Sequence, residues 1–256
     1  MTYDDYKMMF DSFNSSEGYY QACKILSFDS LWREKEDYRN KMESSIKETL
    51  NRLGKSKMRG ADVCCGDYAW VPRHFSDYFS DIYCVDIDSR ALDSEVVRVK
   101  KNCIVLNQNA DQVDIHVDFL FSGNNVYEYF ILNIANCVNP NGTIFLMKPL
   151  EGDDISLRSI SKGYDINQRN SESNKISNLL SKYFKTSEKE VVFNWDYSNV
   201  NLDRLLASLS VVSFGERTLF DDGQYAKSVD YLKKKCKGDT LTLTQICKIW
   251  EGVKDG

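Results

Sequence analysis

From residue 59 onward, short apolar runs alternate with segments whose apolar positions recur every three or four residues. The runs at 60–65, 81–86, 103–106, 116–122 and 143–147 read as strands, because each is short, rich in apolar residues and bounded by turn formers. Between them, 125–138 places Ile131, Leu132, Ala135 and Val138 on one helical face, and Pro72 fits the first turn of a helix, where its missing N–H costs nothing. Residues 139–142, Asn-Pro-Asn-Gly, read as a turn. Strands of this kind separated by helices predict an α/β fold, a doubly wound, mostly parallel sheet with both faces covered.

The flanks follow other rhythms. Residues 1–27 read as two short helices broken at 14–18. Ser30 reads as the cap of one long helix to about Leu53, with Leu31, Tyr38, Met42, Ile46, Leu50 and Leu53 on its buried face and Gly54 as its stop. The polar stretch 151–174 reads as a flexible loop with a little helix. A helix at 176–184, a sixth strand at 191–195, helices at 201–209 and 224–236, and a strand at 240–250 follow. That last run sets Leu241, Leu243, Cys247 and Ile249 on one face at period two. The expected organisation is an N-terminal helical cap over 1–55 and a sheet domain over 56–256, with an insertion around 151–235.

Chemistry gathers where the first two strands end. Asp62-Val63-Cys64-Cys65-Gly66-Asp67-Tyr68 turns sharply out of the first strand, and Asp86 closes the second, 20 residues after Gly66. In a doubly wound sheet these ends lie side by side. A turn that lets backbone approach a ligand then sits next to a carboxylate able to grip a ribose diol.

Composition removes several alternatives. The 256 residues carry a formal charge of −5, so there is no basic footprint for nucleic acid. No run approaches a membrane span, and the first residues lack a basic, apolar leader, so a cytoplasmic protein with no membrane partner is expected. The eight cysteines include no Cys-x-x-Cys pair and there are two histidines, His74 and His116. Buried thiols and no metal site are expected.

At these residues the chain resembles the class I S-adenosylmethionine-dependent methyltransferases, whose first strand ends in Asp-x-Gly-x-Gly-x-Gly and whose second ends in Asp or Glu. The pattern aligns on Asp62, Cys64, Gly66 and Tyr68, so only the middle glycine is kept, and Tyr68 puts a large ring where the family has none. That ring is expected to close over the cofactor, to shape the acceptor pocket or to mark a degraded site. Three further stretches resemble the family in order: Asn107–Gln112, Val117–Val126 and Asn139–Gly142.

The resemblance implies a Rossmann-like methyltransferase sheet of seven strands, closed by an antiparallel edge strand at 240–250. It implies S-adenosyl-L-methionine as cofactor, S-adenosylhomocysteine as product, and O- or N-methylation of a small molecule, as in natural-product biosynthesis. The turn after Cys65 would offer N–H groups to the cofactor's carboxylate, Asp62 would orient that turn or meet the cofactor's ammonium group through water, Asp86 would accept from the ribose and Ile87 would pack on the adenine. Asn109 would accept from the adenine amino group, Ala110 would give it a backbone N–H, and Ser122 and Asn124 would face the sulfonium. Glu128 and Tyr127 are the candidate catalytic groups. Tyr6, Tyr19, Tyr20 and Trp195 are the candidate acceptor walls, with the cap as a lid. The expected partner is a small-molecule methyl acceptor, and a homodimer is compatible with the reading. The alternative is a non-catalytic relative that binds or regulates a partner, motivated by Tyr68, the missing glycines and Asn109.

Overall fold

The apolar runs become strands β1 Met58–Val63, β2 Phe79–Asp86, β3 Cys103–Asn107, β4 Val117–Gly123, β5 Val138–Gly152, β6 Phe184–Ser198, β7 Cys236–Lys237 and β8 Thr240–Lys254. The computed structural model describes residues 1–11, 25–26, 28–54, 57–123, 126–162, 166–209 and 221–256. The strands are ordered β3-β2-β1-β4-β5-β8-β6, with the short β7 paired to β8. The β1–β2, β2–β3, β1–β4 and β4–β5 pairs are parallel.

The sense of β8 follows from its contacts. A Cβ at Gly252 would touch Ile144, and one at Gly152 would touch Thr244, so residue numbers rise on one strand as they fall on the other. β8 therefore runs antiparallel to β5. It is not the edge strand that the family pattern suggested, because it lies between β5 and β6. The reason is visible in its burial: Ile249, Trp250, Glu251 and Gly252 are buried in succession, which requires cover on both faces.

The chain forms two compact units. One comprises Met42–Pro149, Gln168–Val191 and Cys247–Gly256. Its core joins Val63, Val85, Leu120, Ile144 and Leu146 of the sheet to Phe130, Ile131 and Ile134 of the helix Glu128–Cys137. Glu251 of β8 accepts from Thr49 (2.9 Å) and pairs with Arg52 and with Lys189 (3.2 Å), which fastens the end of the helix Glu36–Leu53. Gly54, at φ 60°, stops that helix as expected.

The other unit comprises Met1–Lys41, Leu150–Asn167 and Val192–Ile246. Aromatic packing organises it: Tyr38 stacks on Trp195 at 5.5 Å, Tyr3 on Tyr225 at 4.4 Å, and the Trp32 indole donates to Ser208 at 2.8 Å.

Two further expectations are corrected. The long helix from Ser30 is interrupted: a short helix Phe28–Leu31 precedes a break, and Glu36–Leu53 follows. The Leu31 and Trp32 carbonyls accept instead from the Tyr197 hydroxyl (2.7 Å) and the Trp195 indole (3.0 Å), which takes them out of a helical ladder. The polar stretch after residue 151 is not a loop but carries helices Asp153–Lys162 and Ile166–Leu180. Buried Leu157, Ile176 and Leu180 stabilise them by packing, which overrides weak local propensity. Among the described residues no helix is long and apolar enough to cross a membrane, and no cluster of His, Cys, Asp and Glu could hold a metal.

Candidate functional site

β1 and β2 run in register with Asp62 opposite Cys84 and Val63 opposite Val85, so they end together. The strand order reverses at β1, whose other neighbour is β4. In open α/β sheets a crevice forms at such a reversal, because the connections leave in opposite directions.

Between β1 and the helix Trp70–Phe75 the backbone passes through three left-handed residues, Cys64 (φ 57°), Gly66 (φ 57°) and Ala69 (φ 49°). β1 ends at Val63, so Cys64 and Cys65 lie in the turn and not in the strand that the apolar pattern assigned them. Cys64 stands where the family pattern has glycine, in a conformation that glycine adopts at no steric cost. Bonds from Cys65 N–H to the Val85 carbonyl and from Ala69 N–H to the Cys65 carbonyl, both 3.1 Å, hold the turn. Asp62, 1% exposed, accepts from Val71 N–H at 2.9 Å and ties the helix start to the strand end.

Asp86 meets this turn directly. One carboxylate oxygen accepts from Gly66 N–H at 2.9 Å, and the other from Asp88 N–H at 3.0 Å. Each oxygen has a further lone pair for a ligand hydroxyl. A Cβ added at Gly66 would find nothing within 4 Å, so the space over the turn is open. Ile87 is 73% exposed. Asn107 donates to the carbonyls of Asp86 (3.1 Å) and Ile87 (2.9 Å) and fixes this corner.

Tyr68 is buried. Its ring packs on Trp70 at 5.1 Å, the Arg73 guanidinium lies 4.2 Å over it, and its hydroxyl is 3.3 Å from His74 Nε2. The other nitrogen of His74 lies 3.2 Å from Glu43. The ring thus braces the helix that follows the turn.

Asn109 accepts from Asp111 N–H at 3.1 Å and starts the 3-10 turn Ala110–Gln112. The Asn133 amide pins that turn by donating to the Ala110 (2.9 Å) and Val113 (3.0 Å) carbonyls. Tyr127 donates its hydroxyl to Asp111 at 2.7 Å. Burial, and then the Asp111 carboxylate, push its pKa above the ordinary tyrosine value. The phenol is therefore held in its protonated form and bonded to the Asp111 carboxylate. Ser122, at the end of β4, is fully buried and its hydroxyl has no partner among the described residues.

Glu128 is exposed in the first turn of its helix. Tyr6 and Trp195 are buried in the aromatic unit. Asn124, Tyr19 and Tyr20 lie outside the described residues.

Three carboxylates converge here. Burial pushes the Cys64 thiol up to about 12, with Asp86, Asp62 and Asp111 adding to the rise. The Cys65 thiol is raised in the same way. Both stay neutral and weakly nucleophilic, and the corner carries a negative potential.

A groove of about 550 Å³ lies at the carboxyl end of the neighbouring strands. Val126, Tyr127 and Glu128 follow β4, and Lys148 comes one residue after the Gly123–Met147 pair of β4 and β5. The helix Ile166–Leu180 and its exit supply the other wall, including Glu172, which pairs with Lys148 at 3.0 Å. Sequence reasoning missed Asn107, Asp111, Lys148 and the lysines of this wall. Asn107 and Asp111 were signalled by their places beside the strand end and Asn109; Lys148 follows the fifth expected strand, Lys175 falls between the expected loop and helix, and Lys182 lies within the helix expected at 176–184, where nothing local marks a lysine as facing a groove.

No family profile matches the chain, and no curated protein matches it significantly. Solved structures do match. A proposed methyltransferase from Bacillus halodurans C-125 superposes with a TM-score of 0.55 at 11% identity, over 81% of this chain and 99% of that one. The N-methyltransferase NodS from Bradyrhizobium japonicum WM9, with S-adenosylhomocysteine bound, gives 0.52 at 11% identity over 93% and 98%. Haemonchus contortus phosphoethanolamine N-methyltransferase 2, with phosphomonomethylethanolamine and S-adenosylhomocysteine bound, gives 0.53 at 14% identity over 100% of this chain and 61% of that one. The chain shares its fold with these methyltransferases.

Proposed function

We propose that the protein is an S-adenosylmethionine-dependent methyltransferase acting on a small-molecule acceptor at oxygen or nitrogen. The observation that carries this is the bond from Gly66 N–H to Asp86 under an open space: the first-strand turn and the second-strand acid meet at one open corner. The residues fit the group. Asp86 keeps lone pairs for a ribose diol, exposed Ile87 offers an apolar edge to the base, and the Asn109–Ala110 turn flanks it. The unpartnered Ser122 hydroxyl is a buried polar atom of the kind a ligand satisfies. The three carboxylates around Cys64 suit a cofactor whose sulfonium and ammonium are both cationic.

When bound, S-adenosylmethionine supplies an electrophilic methyl on a sulfonium. The chain's own part is to align the acceptor and exclude water, which orientation alone turns into several kcal/mol. In this reading Glu128, exposed on the groove, takes the acceptor's proton, while Tyr127, bonded to Asp111, orients the acceptor. The relatives with the same fold that bear the name N-methyltransferase support a nitrogen acceptor.

Calorimetry with S-adenosylmethionine and S-adenosylhomocysteine tests this reading. Micromolar binding that weakens at least about tenfold in Asp86→Ala is expected, a loss of about 1.4 kcal/mol. Absence of binding at millimolar cofactor in a folded wild type overturns it and leaves the non-catalytic alternative.

A further inference from the structure

Of the three lysines on the groove, Lys148 is neutralised by Glu172. Lys175 and Lys182 have no acidic partner among the described residues. They stand seven residues apart on one wall: Lys175 lies within the helix Ile166–Leu180, and Lys182 in the turn that continues it, its N–H donating to the Leu179 carbonyl at 3.2 Å. Spacing of this kind keeps two residues on one helical face. Ile176 and Leu179 line the same wall, and Val126 lies across from them. Both residues are exposed on the groove wall, so an incoming anion meets two positive charges. The remaining charge on the groove is Glu128, carried by the opposite element.

We infer that the groove selects an acceptor bearing an anionic group, a carboxylate or a phosphate monoester, on an apolar body. Lys175 and Lys182 hold the anion, and Val126, Ile176 and Leu179 receive the body. Glu128 repels the anion, so the molecule enters with its charged end on the lysines and its uncharged or cationic nucleophile toward Glu128 and the end of β4. Two ammonium groups opposed by one carboxylate suit a single anionic head and not a polyanionic strand. The inference deepens the methyltransferase reading and rests on it for the word acceptor; the anion preference itself is a property of the groove.

Four probes that share one ring separate the possibilities: benzyl phosphate, benzoate, benzyl alcohol and benzylammonium. Each is titrated calorimetrically into the full chain in the presence of S-adenosylhomocysteine, whose own binding is measured first in a separate cell. The anions are expected to bind at least about tenfold tighter than benzyl alcohol, with benzylammonium weakest. The order of benzyl phosphate and benzoate tells which anion the site takes. A Lys175→Ala/Lys182→Ala variant should lose about tenfold of the anion's affinity, as two exposed ion pairs allow, with S-adenosylhomocysteine binding unchanged, and the double Lys→Arg variant should retain it. Three results overturn the inference: benzyl alcohol or benzylammonium binding as tightly as the anions, unchanged anion affinity in the alanine variant, or no anion binding in the millimolar range. A wild type that fails to bind S-adenosylhomocysteine in the first cell sinks the methyltransferase reading instead.

Discussion

The turn after β1 and the groove after β4 lie at the same edge of one sheet, yet they are built by different means. The turn is made of backbone. Three left-handed residues in six positions, an N–H held by Asp86 and another held by Asp62 define it, and its side chains are small, buried or turned to neighbouring packing. The groove is made of side chains drawn from three places in the chain, Val126–Glu128, Lys148 and Glu172–Lys182. A backbone turn is stiff and tolerates few substitutions. A groove walled by side chains is adaptable, and substitution can change its lining while the sheet stays as it is.

Substitutions at four positions test that contrast by chemical denaturation. Asp62→Ala should cost the most, about 2–3 kcal/mol, because it strands the buried Val71 N–H and uncaps the helix; Asp62→Asn, which keeps an acceptor oxygen, should cost clearly less. Cys64→Val should follow at about 2 kcal/mol, since a β-branched residue is strained at φ 57°. Gly66→Ala should cost about 1 kcal/mol from backbone strain alone, as no atom blocks the added methyl. Lys148→Ala, which removes a part-buried ion pair on the groove, should cost about 0.5–1 kcal/mol. If Lys148→Ala proved as damaging as Asp62→Ala, the groove would be part of the frame and the contrast would fail. If Cys64→Val were neutral, the left-handed turn would not be a fixed feature of the native state.

The contrast also explains what could be read in advance. The strand positions, Gly54 as a helix stop and the meeting of Gly66 with Asp86 were legible, because each depends on local chemistry: apolar runs, a residue's conformational freedom, and a spacing that a βαβ unit converts into proximity. The double role of Asp62 and Tyr68 was less legible. Their types were noted, but the partners that define them, Val71 N–H for one and Trp70, Arg73 and His74 for the other, are chosen by packing.

Other features were settled by tertiary structure alone. Nothing local in Ser30–Leu53 announces that the Leu31 and Trp32 carbonyls will be claimed by Tyr197 and Trp195 from more than 160 residues away. Nothing in the polar stretch around Ser173 announces a helix until Leu157, Ile176 and Leu180 find an apolar surface to bury. The final strand's period of two marked it as a strand, but its place between β5 and β6 depended on which neighbours could cover both its faces. The amino-acid sequence alone determined an alternating α/β chain with a glycine turn and an acid at the ends of its first two strands, since backbone preference and apolar rhythm act over a few residues. The interrupted helix, the Tyr127–Asp111 bond and the lysine-walled groove were decided by the folded structure, because each joins segments whose proximity exists only once the core has formed.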